Sequence, residues 1–214
     1  MKATTERRAL DGDEITALVA RASGTRYDVP VRFTLATGMR QAELLGMKWS
    51  AIDLTEGTVE VRETLSYVAR KVAFLPPKTD RSRRTVELSE ATCRLLRSHR
   101  VAQTEHRLKI GGVWQDNDLA FPSLVGTPWL PRIFYRGYRP IVDESGVSHP
   151  EAVNWHTLRH TAASQWLRHG IDVFTVSRRL GHSKASFTMD VYCHLMKGQQ
   201  REAAEALDYL LAQG

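Results

Sequence analysis

The chain has 214 residues, 42% hydrophobic and 25% charged, the proportions of an ordinary globular fold with enough residues to bury a core. No apolar run approaches the roughly 20 residues that a membrane-crossing helix needs, and the opening MKATTERRAL lacks the apolar stretch of a secretory leader, so the expected location is the cytoplasm. Thirty Lys and Arg against 24 Asp and Glu give a net charge of +6, which favours a polyanionic partner such as nucleic acid.

From Asp13 onward Ile15, Leu18 and Val19 recur at helical spacing until Gly24, which predicts an amphipathic first helix. A second helix is expected over Val31 to Ala36, and after the break at Thr37 and Gly38 a short one runs from about Met39 through Leu44 and Leu45 to Gly46. Arg40 then falls at a helix beginning, where backbone N–H groups favour a bound phosphate. The period changes next: Thr58 to Glu63 and Thr85 to Leu88 alternate as strands, with Ser66 to Leu75 between them, which reads as a small antiparallel sheet. Pro76 and Pro77 put Lys78 on or beside a turn. Between Arg70 and Arg84 lie six cations, including Arg81, Arg83 and Arg84, opposed only by Asp80. They form either a solvated hairpin or a DNA-binding patch.

Ser89 can cap a helix that turns Leu95 and Leu96 inward. Lys109 to Pro131 reads as a long connector rather than a domain linker, because Trp114, Phe121 and Trp129 call for burial. A helix resumes near Arg132, and Pro140 should bend or shorten it. Further helices are expected from Thr157 to His169, ended by Gly170, from Asp172 to Leu180, ended by Gly181, and from Ser183 towards Tyr192. The last, Gln199 to Leu211, puts Ala204, Leu207, Leu210 and Leu211 on one apolar side. Cys93 and Cys193 stand far apart outside any CxxC pattern, which excludes a disulfide framework and a structural zinc site. His156 and His160 would share a helix face, yet Thr157 stands where a zinc protease carries its glutamate and no third ligand follows by spacing. No metal is expected.

Four stretches carry the chemistry: TGMRQAELLGMKW around Arg40, PPKTDRSRRTVEL around Lys78, HTLRHTAAS from His156, and LGHSKASFTMDVYCH, which holds His182 and Tyr192 and ends at His194. Together and in this order they resemble the tyrosine recombinases of the phage-integrase type over nearly the whole chain. That family's pattern of Arg, Lys, His-x-x-Arg, His and Tyr falls on Arg40, Lys78, His156, Arg159, His182 and Tyr192. The resemblance implies a mixed α+β, mostly helical catalytic fold with a small antiparallel three-stranded sheet, and one catalytic domain over residues 1–214. Most family members carry an N-terminal domain that clamps DNA ahead of the first helix. This sequence begins almost at that helix, so the clamp is expected to be absent from it.

Elementary chemistry agrees with that assignment. Phosphoryl transfer needs an in-line nucleophile, positive charge on the non-bridging oxygens and a proton for the departing oxygen. Arg40 and Arg159 suit the second task, because a guanidinium is always charged and its planar fork matches phosphate oxygens. Tyr192 would attack phosphorus, helped by neighbouring cations or a base because a phenol near pKa ~10 is scarcely ionised at neutral pH. His156 and His182 can donate hydrogen bonds to phosphate, and His156 is the better candidate for proton transfer. As in the family, Lys78 would protonate the leaving 5′ oxygen, and Glu43, on the helical face of Arg40, would orient that arginine. His160 is expected to be a core or supporting histidine. No cofactor is implied, since the phosphotyrosyl ester keeps the energy of the broken phosphodiester.

The implied partner is double-stranded DNA, held by a homotetramer that forms on DNA from a chain that is monomeric without it. The apolar tail could dock in cis or on a neighbouring protomer. Two other readings compete. Thr157 to His169, Gly170 and the helix from Asp172 resemble a helix-turn-helix, the mark of a non-catalytic DNA-binding protein, but Arg40 and Lys78 then go unexplained. A type IB topoisomerase shares the chemistry, but the LGHS motif and compact length favour a recombinase.

Overall fold

The computed structural model describes residues 8–68, 71–77, 82–182 and 188–189. Three helices open the chain: α1 (Gly12–Ala22), α2 (Asp28–Thr37) and α3 (Gln41–Leu45). Asp11 accepts a hydrogen bond from the Glu14 amide and Glu14 reaches back to the Asp11 amide, a reciprocal cap that fixes where α1 begins. The second helix starts three residues before the expected Val31, because Pro30 sits in its first turn, where a missing N–H costs nothing.

Strands β1 (Ile52–Asp53), β2 (Thr58–Val61) and β5 (Arg84–Glu87) form a three-stranded antiparallel sheet in the order β1-β2-β5. The expected three-stranded sheet is thus present, but its third strand is the two-residue β1. Strands β3 (Thr64–Val68) and β4 (Lys71–Leu75) pair only with each other, as a separate hairpin. In the main sheet Val59 lies opposite Val86 and Val61 opposite Arg84. Since side chains two apart share a face, this register puts Arg84 on the inward side with buried Val86 and leaves Arg83 and Thr85 outside.

Helix α4 (Glu90–Ile110) is capped by Ser89, whose hydroxyl accepts from the Thr92 amide. It buries Leu96 and half-buries Leu95. The connector after it packs onto the body through Phe121, buried, and Trp129, half-buried. Helix α5 (Pro131–Asp143) continues through Pro140, which neither ends nor shortens it. Burial of Phe134, Tyr138, Ile141 and Val142 on both sides of that proline outweighs the one lost backbone bond, each such side chain being worth about 1.5–3 kcal/mol. Tyr27, Phe134, Tyr138 and Trp155 make a ring cluster, with centroids 4.8 Å apart for Tyr138 and Trp155.

Helices α6 (Trp155–Arg168) and α7 (Val173–Leu180) complete the described fold. Asn154 caps the first and Asp172 the second. Ala163, Leu167, Val173, Val176 and Leu180 form a small core of their own, with Trp166 against it. The helices expected from Ser183 towards Tyr192 and over Gln199 to Leu211 lie outside the described residues. No helix among the described residues is long and apolar enough to cross a membrane.

Gly38 joins this second core to the site. It ends α2 at φ +67°, and a Cβ there would lie 2.7 Å from Leu180 Cδ2 and 3.1 Å from the Trp166 ring. Gly24, at φ +71°, has open space around it. Gly38→Ala is therefore expected to cost about 1–3 kcal/mol in urea unfolding, and more than Gly24→Ala. Equal losses would mean that the close approach of α7 to Gly38 is of no consequence.

Candidate active site

Glu43 is the buried centre of the site, only 1% exposed. One carboxylate oxygen accepts from Arg40 Nη1 at 2.7 Å and from Arg84 Nη1 at 3.1 Å. The other accepts from the Arg40 backbone amide and from Arg84 Nη2, both at 2.9 Å. The Arg40 amide, expected to help receive a phosphate at the start of α3, is therefore committed to Glu43. The Arg40 side chain remains more than a third exposed. Burial pushes the Glu43 carboxyl up, but the Arg84 hydrogen bonds and charge, followed by the charge and amide of Arg40, outweigh it and hold the group down at about 2.

Arg159 is also inside, 2% exposed. Its Nη1 donates to the Gly38 carbonyl and its Nη2 to the Leu180 carbonyl, both at 2.7 Å. The first of these carbonyls lies two residues before Arg40 and the second two residues before His182. One guanidinium thus ties together the approaches to two other candidate site residues, and its own plane is fixed by the same two bonds. Both Leu180 and Arg179, whose carbonyl accepts from Arg84 Nε at 2.7 Å, are in the last turn of α7. Carbonyls there have no partner within the helix, and the negative end of the helix dipole favours cations.

His182 follows immediately, half-buried, with Nδ1 2.7 Å from Thr188 Oγ1. Desolvation lowers its imidazole most, and the charges of Arg159, Arg40, Arg84 and His160 lower it further, to about 3. Every one of those charges opposes protonation. His182 is neutral at physiological pH, able to offer a ring N–H without adding charge. His160 and His156 stand edge to face with ring centroids 4.6 Å apart, His156 exposed at the start of α6. His160 thus touches His156 through its ring and His182 through its charge. Among the described residues no group of three His, Cys, Asp or Glu side chains could hold a metal ion.

Four of the seven residues expected to carry or support the chemistry, Arg40, Glu43, Arg159 and His182, thus converge from three stretches of chain, with His156 at the rim. Lys78, Tyr192 and Arg81 lie outside the described residues. Of the arginines expected to touch DNA, Arg83 is exposed beside a cleft of about 850 Å³ that also borders Phe174, Arg178 and His182. Arg84 differs from Arg83 in that its side chain is 6% exposed and faces Glu43. The signal was present in the strand period, since Arg84 lies two residues from Val86. Arg179 was missed altogether. It donates to the Ala36 and Glu87 carbonyls and lies over the Trp166 ring.

Residues 8–199 match the family model described as the phage integrase family. The chain belongs to that family. Among relatives of the phage integrase chain, a "Tyrosine recombinase XerC-like" protein of Caldanaerobacter subterraneus subsp. tengcongensis is 31% identical over 98% of this chain and 56% of its own length. The ICEBs1 integrase of Bacillus subtilis is 29% identical over 82% of this chain and 46% of its own. The chain therefore spans about half the length of these relatives. The phage integrase fold is found also in the Tn1549 transposon integrase, solved in complex with transposon right end DNA, with a TM-score of 0.79 at 16% identity over 95% of this chain and 69% of that one. XerA recombinase gives a TM-score of 0.69 at 28% identity over 93% of this chain and 64% of its own.

Glu43 and His182 both make the fold acid-sensitive. Unfolded, they take up protons at their ordinary values of 4.5 and 6.5; folded, they resist to about 2 and about 3. The stability they contribute is full above pH 6.5 and is lost with acid, from His182 between 6.5 and 4.5 and from both below that. His182→Gln is expected to flatten the decline of the urea midpoint between pH 6.5 and 4.5. An unaltered decline would assign the loss elsewhere, for example to His99, whose imidazole burial also depresses.

Proposed function

We propose that this chain is the catalytic domain of a site-specific DNA recombinase or integrase, which cuts and rejoins strands through a covalent 3′-phosphotyrosyl bond to Tyr192. The observation that carries the reading is the convergence of Arg40, which a buried carboxylate holds, and of Arg159 on a neutral His182. Arg40 and Arg159 hold the two non-bridging oxygens of the scissile phosphate, His182 donates a hydrogen bond to one of them, and the Tyr192 oxygen attacks phosphorus. The bond from phosphorus to the 5′ oxygen breaks, and Lys78 supplies the proton that oxygen needs. His156 assists transfer of the phenol proton. Rejoining is the reverse, with the 5′ hydroxyl attacking the phosphotyrosyl ester, so energy is conserved and no nucleotide is consumed.

Double-stranded DNA is the partner, approached through the cleft with Arg83 and Arg178 on its wall and through Arg81. The chain assembles as a tetramer on DNA and is a monomer without it, working in the cytoplasm, where the DNA is. Residues 1–214 act as a single catalytic domain.

Incubation with nicked suicide duplexes drawn from the flanks of the chain's own gene, followed by denaturing electrophoresis, should trap a protein–DNA adduct that Tyr192→Phe abolishes. An adduct that survives in Tyr192→Phe would move the nucleophile elsewhere. Arg40→Ala and Arg159→Lys should each slow trapping by about a hundredfold or more, the scale for losing one preorganised charge-stabilising donor. Lys78→Ala should be rescued by a duplex with sulfur at the leaving 5′ position, which needs no proton. Failure of that rescue would leave the lysine a DNA contact.

A further inference from the structure

Arg84 stands in a run of basic residues, six positions after Lys78, and by sequence it belongs with the DNA contacts. Its geometry is different. The guanidinium bonds both oxygens of Glu43, at 2.9 and 3.1 Å, while its Nε donates to the Arg179 carbonyl at 2.7 Å and its Nη1 to the Ser82 carbonyl at 3.2 Å. It also passes directly under Gly181: a Cβ on that glycine, which has φ +67°, would lie 2.9 Å from Arg84 Nη1 and 3.1 Å from its Cδ. Three pieces of the site therefore meet on this side chain. Strand β5 carries it, the carboxylate that holds Arg40 is gripped by it, and the last turn of α7, just before His182, rests on it.

We propose that Arg84 is a positioning residue for strand cleavage and not a DNA contact. It sets the distance between Arg40 and His182 by holding Glu43 and the Arg179 carbonyl at once. A lysine cannot do this, because a single ammonium cannot span two carboxylate oxygens and a carbonyl on a different element. Arg84 acts on the phosphate only through Arg40 and His182. Its contribution belongs to the chemical step, where a displacement of about 1 Å costs about a hundredfold, and not to affinity. This inference rests on the recombinase reading above.

The test uses the full chain and the nicked duplex that traps the wild-type adduct, with the trapping rate measured against DNA concentration and pH. Arg84→Lys keeps the charge beside Glu43. It should lower the saturated rate by about tenfold to a hundredfold, with the half-saturating DNA concentration changed by less than about twofold. The acid limb of its rate profile should move towards neutral pH, because the Glu43 carboxyl loses the hydrogen bonds that keep it ionised. Arg84→Met combined with Glu43→Gln removes both buried charges and leaves without its carboxylate only Arg40, which reaches the surface, so the fold is retained, and it should be as slow as Arg84→Lys or slower. A saturated rate equal to wild type, with a raised half-saturating concentration and a shallower salt dependence, is the behaviour of a phosphate contact and would overturn the proposal. A slowed rate with an unmoved acid limb would overturn it as well, by removing Glu43 from the path. If the wild-type chain forms no adduct, the recombinase reading fails and the Arg84 assignment falls with it; a wild-type adduct with an unaffected Arg84→Lys rate overturns the Arg84 assignment alone.

Discussion

A carboxylate taken out of water is tolerated only when its charge is answered by partners in good geometry. Glu43 meets that condition with two guanidiniums and a backbone amide, and most of the site is organised by what those partners do with their other ends. Arg40 sends the rest of its side chain to the surface. Arg84 continues into the last turn of α7. Arg159, from α6, binds the same turn and the bend before Arg40. Breaking the Glu43 centre on one side leaves a buried charge without its counterpart, a loss of about 3–5 kcal/mol where such pairs are fully enclosed.

The electrostatic result is a place where positive charge is concentrated beside a neutral histidine. The arginines that lower His182 are held apart from one another by Glu43, by the Gly38 carbonyl and by the end of α7, so they do not have to reorganise when an anion arrives. Preorganised donors of this kind are what stabilise charge that develops during a reaction. The neutrality of His182 follows first from its burial and then from the same crowd of cations, and it lets the ring donate a hydrogen bond without adding to the repulsion.

Much of this was legible in the residues. The glycine stops at Gly170 and Gly181, the cap at Ser89, and the helical period of α1, α6 and α7 gave boundaries within a few residues, because each rests on a local preference. The grouping of Arg40, Arg159 and His182 was legible as spaced motifs. What escaped was decided at longer range. The two-residue β1 has too little sequence to carry a period. Pro140 stays in a helix because its neighbours are buried. Arg84 was read by the charges around it, when the alternation with Val86 already turned it inward, and charge density along a chain does not tell which side of a strand a cation occupies.

The most direct test of the central claim, that two guanidiniums fixed by Glu43 and a third fixed by the Gly38 and Leu180 carbonyls crowd a half-buried His182, is to titrate the His182 imidazole by NMR in the free chain. The expected result is a ring that stays neutral far below the ordinary 6.5, down towards about 3, and that titrates higher when Arg40 or Arg84 loses its charge. A ring that titrates near 6.5 and ignores those substitutions would contradict the claim, because the cations could not then be where Glu43 and the end of α7 hold them.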